Sequence, residues 1–132
     1  MSNNDPFNIP DSVLVKASED TVIFNEKIFT LPLWANGVPD NLIIWAEDEW
    51  VENRTEDRND FGYNRAIHRV DTPGMIVIKA DVENSLTPAI VIFPGGAFER
   101  VVIDKEGIDV ARWFHKHGFT CIIVKYRTFE NG

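Results

Sequence analysis

The sequence predicts an α/β fold, and three features carry that expectation. Residues 89–93 form an unbroken apolar run that stops at Pro94 and the pair Gly95 and Gly96. Apolar residues at helical spacing follow it. A second apolar run occupies 120–126. A strand, a crossover helix and a parallel strand have this pattern, and an apolar run without polar alternation suits a strand covered on both faces. In such sheets ligands gather beyond the carboxyl ends of the strands, so the glycine loop is where chemistry belongs.

Length and composition narrow the class. A chain of 132 residues is one domain of ordinary size, long enough to bury a core. Its 44% hydrophobic content and four tryptophans mark it as globular rather than disordered. A net charge of -8 repels nucleic-acid phosphates and anionic membranes, so neither is expected as a partner. No apolar run approaches the ~20 residues of a spanning helix, and the start of the chain lacks the basic-then-apolar pattern of a secretory signal. The one cysteine, Cys121, excludes an internal disulfide and sits in an apolar run. It reads as a small buried hydrophobe in a reducing, cytoplasmic setting.

Along the chain, residues 1–10 are polar and read as loose. Between Ser12 and Leu33, Val13, Val15, Val22, Ile23, Phe24, Ile28 and Phe29 predict strands, with a hairpin turn at Asn25, Glu26 and Lys27. Pro32, Gly37 and Pro39 punctuate an ordered loop over 31–40. The stretch 47–60 holds seven carboxylates against Arg54 and Arg58. It reads as a solvated acidic loop, without the spaced ligands and central glycine of a calcium site. A β-β-α-β core is expected over 74–127. Its first strand covers 74–80. Asp104 is the expected N-cap of the helix, with Glu106 in its first turn. Ile103, Gly107, Val110, Ala111 and Phe114 make one apolar stripe, and Gly107 allows close approach to the sheet. Gly118 is the expected stop.

The glycine pair permits backbone dihedrals closed to other residues and turns main-chain N–H groups toward a ligand. Such groups serve a phosphate or a developing oxyanion. The dinucleotide pattern G-x-G-x-x-G is absent, and the next strand ends in Lys125, Tyr126 and Arg127 rather than an acid. A Gly-Lys-Ser/Thr phosphate loop is absent too. On the pair alone, an oxyanion loop and a tight turn of purely geometric purpose both stay open.

A wider set of motifs adds weight. Pro94, Gly95, Gly96, Ala97 and Phe98 come first. Glu106, Gly107, Val110, Ala111 and Trp113 follow, then Val124, Lys125, Tyr126 and Arg127. This order resembles the α/β-hydrolase esterases related to acetyl-xylan and other carbohydrate esterases. Leu31, Pro32, Leu33, Trp34, Gly37 and Pro39 are similar to that group's leader motif. The resemblance implies the N-terminal part of an α/β-hydrolase sheet, as a single incomplete domain over 1–132. It also implies that the backbone N–H groups of Gly96 and Ala97 are oxyanion donors, with Gly95 setting the turn. The chain departs from the family where Ala97 replaces the third loop glycine and Phe98 the usual tyrosine.

The family's nucleophile is missing from these residues. A Gly-x-Ser-x-Gly elbow is required, and Ser2, Ser12, Ser18 and Ser85 all lack it. His115 and His117 precede the place where the triad histidine belongs and read as solvent-facing residues of a last helical turn. His68 reads as loop polarity. Neither a metal nor a cofactor is expected. The expected function is therefore that of an esterase fragment that supplies the oxyanion loop and is inactive alone. Its substrate, if completed, is a small ester or an acylated carbohydrate. The alternative is a non-catalytic binding or assembly module. In the α/β-hydrolase order the strand 89–93 lies next to the absent nucleophile strand, so its outer edge is left open. A homodimer through that edge is expected. A third idea is a sugar-stacking surface of Trp34, Trp45 and Trp50, although tryptophans more often pack in loops and cores.

Overall fold

Two sheets share one core. The computed structural model describes residues 7–16, 21–36, 48–82 and 84–129. Helix α1 (Asp11–Lys16) is followed by β1 (Ile28–Pro32), β2 (Trp50–Asn53), β3 (Arg65–His68), β4 (Gly74–Ile78), β5 (Ala89–Ile92) and β6 (Arg100–Val101). A π-helical turn (Asp104–Ile108) then runs into α2 (Asp109–Lys116), and β7 (Thr120–Lys125) closes the described order. The four-stranded sheet has the order β1-β4-β7-β5, and the three-stranded sheet has the order β2-β3-β6. β4 is antiparallel to β1 and β7, whereas β5 runs parallel to β7. The fold is thus mixed α/β with one parallel pair, and β5 and β7 are joined by the helix that the apolar periodicity predicts.

That helix covers one face of the sheet. The Cys121 thiol contacts the Ala111 carbonyl at 3.5 Å. A Cβ at Gly107 would lie 3.1 Å from Pro94 Cγ and 3.2 Å from Ile123 Cγ2, so the close approach is real and leaves no room for a larger residue. Cys121 and Ile123 therefore point to the helical side, along with their register partners Ile90 and Ile92 on β5 and Ile78 and Ile76 on β4. Strand alternation sends Val91, Ile122 and Val77 to the opposite face. No described helix covers that face near β5, where Val91 is 51% and Phe93 67% exposed.

The core is rich in isoleucine: Ile9, Ile28, Ile67, Ile76, Ile103, Ile108 and Ile123 are wholly buried. Two charged side chains lie among them. Arg65 sends Nε to Asp104 Oδ2 at 2.9 Å and a second nitrogen to Oδ1 at 3.1 Å. Its remaining nitrogen donates to the Ile9 carbonyl at 2.6 Å and to Asp11 at 3.0 Å, and its plane lies 3.8 Å from the Tyr63 ring centroid. Burial pulls the guanidinium's pKa down, but the hydrogen bonds and charge of Asp104 and Asp11 outweigh it, and the net shift is upward. Lys125, also wholly buried, binds the carbonyls of Leu14 and Val15 at 2.9 and 3.0 Å and Glu49 at 2.6 Å. A cation at the last carbonyls of a helix satisfies groups that have no intrahelical donor.

Several local expectations are corrected. Residues 7–10 are not loose, because Phe7 and Ile9 are core residues; 1–6 lie outside the described residues. Val13 and Val15 belong to α1, not to a strand: Pro10 accepts from Val13 and Leu14, and burial of Val13 and Leu14 outweighs their weak helix preference. The hairpin forms with one short arm, an isolated Ile23–Phe29 bridge, and Asn25 Oδ1 accepts from Lys27 and Ile28 in the turn. The acidic stretch 47–60 is not all loop, since Trp50–Asn53 is β2, paired with β3. The segment 74–127 holds an extra strand, β6, which leaves the main sheet to pair with β3. Asp104 is not an N-cap. It lies inside the π-helical turn, whose cap is Ile103, and its carboxylate is taken by Arg65. The strand 89–93 is not covered on both faces, since Val91 and Phe93 are exposed on the face away from α2.

Candidate functional site

β5 delivers the chain into a loop whose carbonyls are tied down. The Pro94 carbonyl accepts from the Tyr126 hydroxyl. The Gly95 carbonyl accepts from Val102 N–H at 2.9 Å. The Gly96 carbonyl accepts from Glu99 and Arg100 N–H at 3.1 and 3.3 Å, and the Phe98 carbonyl from Phe129 N–H at 2.8 Å. A trans peptide points its C=O and N–H in opposite directions. Tethering the carbonyls of Gly95 and Gly96 therefore turns the N–H groups of Gly96 and Ala97 the other way. Among the described residues, neither N–H donates to a backbone carbonyl outside helices and strands.

The backbone angles explain the residue choice. Gly96 has φ 148°, and a Cβ there would meet the Arg100 carbonyl oxygen at 1.9 Å. Ala97 and Phe98 follow at φ 58° and 62°, a left-handed pair of non-glycine residues. Each costs about 1–2 kcal/mol relative to ordinary backbone. The turn tolerates the Cβ of Ala97, which is exposed, at the expense of strain. Ala97→Gly is expected to raise stability by up to about 1 kcal/mol, read as an upward shift of the urea midpoint at unchanged slope.

Tyr126 holds the loop from beneath. Burial, and secondarily the Glu106 carboxylate, push its pKa above the ordinary tyrosine value. The oxygen that donates to Pro94 thus keeps its proton. A cleft of about 550 Å³ opens beside the loop, lined by Phe93, Pro94, Gly95, Phe98, Tyr126 and Arg127. Glu106 limits the loop on another side, since a Cβ at Gly95 would fall 2.8 Å from its Oε1. That carboxylate opposes any anion brought to the loop.

The other sequence candidates lie elsewhere. Among the described residues, no serine or histidine lines the cleft. Ser12 and Ser85 are exposed, and Ser2 and Ser18 lie outside the described residues. His115 does not face solvent as expected. Its ring is edge-on to Phe7 at 5.1 Å, with Nε2 3.1 Å from the Lys79 carbonyl. His117 is exposed and stacks on Trp113 at 4.1 Å. His68 ends β3, stacks on Trp50 at 4.5 Å and bonds Glu52 at 3.0 Å. That hydrogen bond lowers the Glu52 pKa. Cys121 is buried, and burial pushes its thiol up to about 11, so little thiolate exists at neutral pH. Trp34 and Trp50 are both exposed, and Trp45 lies outside the described residues. Among the described residues, no group of three His, Cys, Asp or Glu side chains is placed to hold a metal.

Sequence reasoning missed Tyr126 and the buried Arg65–Asp104 pair. Tyr126 had a signal, a polar-tipped aromatic at the end of an apolar run and within the motif that follows Val124. The Arg65–Asp104 contact joins residues 39 apart and had none. No family model, curated protein or solved structure matches this chain.

Proposed function

We propose that the loop Pro94, Gly95, Gly96, Ala97, Phe98 is the oxyanion-holding element of an α/β-hydrolase of the carboxylesterase kind. In this reading the Gly96 and Ala97 N–H groups are the donors, and the substrate is a small or carbohydrate-borne acyl ester. The supporting observation is the inward tethering of the Gly95 and Gly96 carbonyls, which preorganises two N–H groups at the carboxyl end of a parallel strand. Donors fixed in advance stabilise developing charge without reorganising during the reaction, and one of them is typically worth ~10²–10³ in rate. The strand order supports the reading as well: among the described residues β5 has its partner β7 on one side and none on the other, where the family's nucleophile strand pairs. Residues 1–132 carry no nucleophile elbow, so the chain by itself turns over no ester. The single buried cysteine fits a reducing, cytoplasmic setting, and among the described residues no helix is long and apolar enough to cross a membrane.

Amide spectroscopy tests this. Titration with methylphosphonate, a stable tetrahedral anion, is expected to move the Gly96 and Ala97 amide resonances along saturable curves while Gly107 and Gly118 stay fixed. Shifts spread over surface lysines, with those two amides silent, would sink the assignment. In the same preparation p-nitrophenyl acetate is expected to hydrolyse at the buffer rate. Hydrolysis abolished by Gly96→Pro would show instead that the chain holds its own nucleophile.

A second reading, an assembly module, is favoured by one observation: among the described residues the apolar strand β5 pairs on one side only.

A further inference from the structure

Among the described residues β5 is the outermost strand of the four-stranded sheet, with no strand on its far side, and it is bounded by Pro88 and Pro94. Edge strands normally carry a charge, a bulge or a covering loop that blocks further pairing. Residues 89–93 carry none of these side-chain guards. From Asn84 to Phe98 there is no charged side chain at all, in a chain of net charge -8. We propose that a second copy of this chain docks on that edge, antiparallel, with Val91 on the twofold axis, to give one continuous eight-stranded sheet.

Three points select this occupant and this register. An antiparallel edge contact is self-complementary, as a closed twofold dimer requires. Proline lacks the N–H needed in a ladder, and Pro88 and Pro94 are equidistant from Val91. Centring on Val91 is therefore the alignment that uses all of 89–93 while leaving both prolines outside. The side chains fit as well. On the bare face, Val91 meets its own copy, and Ala89 of each subunit lies opposite Phe93 of the other, small against large. Ala89, Val91 and Phe93 are all exposed in the single chain. Charge points the same way: a cationic partner would be drawn to the acidic remainder, whereas this uncharged strip lets two acidic chains meet without opposing like charges. The loop amides and this edge are tested separately, but a second copy and the nucleophile strand of the preceding reading cannot both pair with β5.

Sedimentation equilibrium of the full chain, from micromolar to near-millimolar concentration, is expected to show a monomer–dimer equilibrium that tightens with added salt. Val91→Lys sets two ammonium groups against each other on the axis and is expected to weaken the dimer about tenfold or more. Cysteine pairing reads the register without relying on that variant's folding. Directly opposite residues bring Cβ atoms within about 4.5–5.5 Å, close to disulfide reach. Under mild oxidation, Val91→Cys is expected to cross-link with itself. Ala89→Cys and Phe93→Cys are expected to cross-link only when mixed, and Ile90→Cys, which faces the helices, not at all. A folded monomer at every concentration would overturn the proposal. So would a dimer in which Val91→Cys fails to cross-link.

Discussion

Asp104→Asn is expected to cost about 3–5 kcal/mol, because it strands a cation in the core. Arg65 and Asp104 are each 1% exposed. The guanidinium keeps its charge at any ordinary pH, so removing the carboxylate's charge cannot be answered by deprotonation. The amide that replaces it turns a donor toward a donor. The Ile9 carbonyl and Asp11 remain as partners but lie on the other guanidinium nitrogen, and Asp11 is largely exposed. A loss of that size takes much of the stability of a domain this long and lowers Tm by about 10–20 °C. Differential scanning calorimetry checks it. The double variant Arg65→Met with Asp104→Leu is expected to recover part of the loss, since matched apolar groups remove both desolvation costs. Recovery stays incomplete because Asp104 also accepts the Arg65 backbone N–H at 2.7 Å, and that donor is left without its acceptor. A Tm within a degree or two of wild type for Asp104→Asn would mean that water or another acceptor reaches Arg65.

Gly96→Ala is the second large effect. Its Cβ would overlap the Arg100 carbonyl, which belongs to the backbone of β6 and cannot swing away as a side chain can. The φ of 148° adds strain of its own. Relief requires the turn to open, which breaks the bonds that Glu99 and Arg100 donate to the Gly96 carbonyl. The expected cost is about 2–4 kcal/mol, combining overpacking with backbone strain. The amide readout separates this from general damage: methylphosphonate should no longer shift Ala97, while Gly107 keeps its native resonance. Undisturbed binding in Gly96→Ala would show that the carbonyl tethers do not orient the donors.

The clearest elements in the sequence were those that a local pattern could specify. β4, β5, β7 and α2 each have an apolar run or stripe and a glycine or proline at the boundary, and they appear within a few residues of expectation. Among the described residues β5 is outermost in its sheet, the position expected of it. Failures came where partners distant in sequence decide the outcome. Val13 and Val15 have strand-like side chains, yet α1 forms because Lys125 caps it and the core takes Leu14. Trp50–Asn53 sits within a run of charges and forms a strand because β3 offers it an edge. Asp104 looked like a cap because its distant arginine was invisible. At the loop, the sequence pointed to the place, but of its two glycines only Gly96 has a positive φ, and the left-handed pair is Ala97 and Phe98. It did not reveal that the carbonyls are pinned, because the pins (Tyr126, Val102 and Phe129) act through oxygen and nitrogen atoms that no motif encodes.

The clasp between Lys125 and α1 bears on the order of assembly. Its ammonium group binds carbonyls 111 and 110 residues earlier in the chain. A six-residue helix is too short to persist without such help. During synthesis, the α1 segment leaves the ribosome long before Lys125 does, with Phe7, Ile9 and Leu14 uncovered in the interval. Closing so wide a contact is slow by its nature. The first described helix is thus completed by the last described strand, and until the two meet Phe7, Ile9 and Leu14 lack the core partners that bury them.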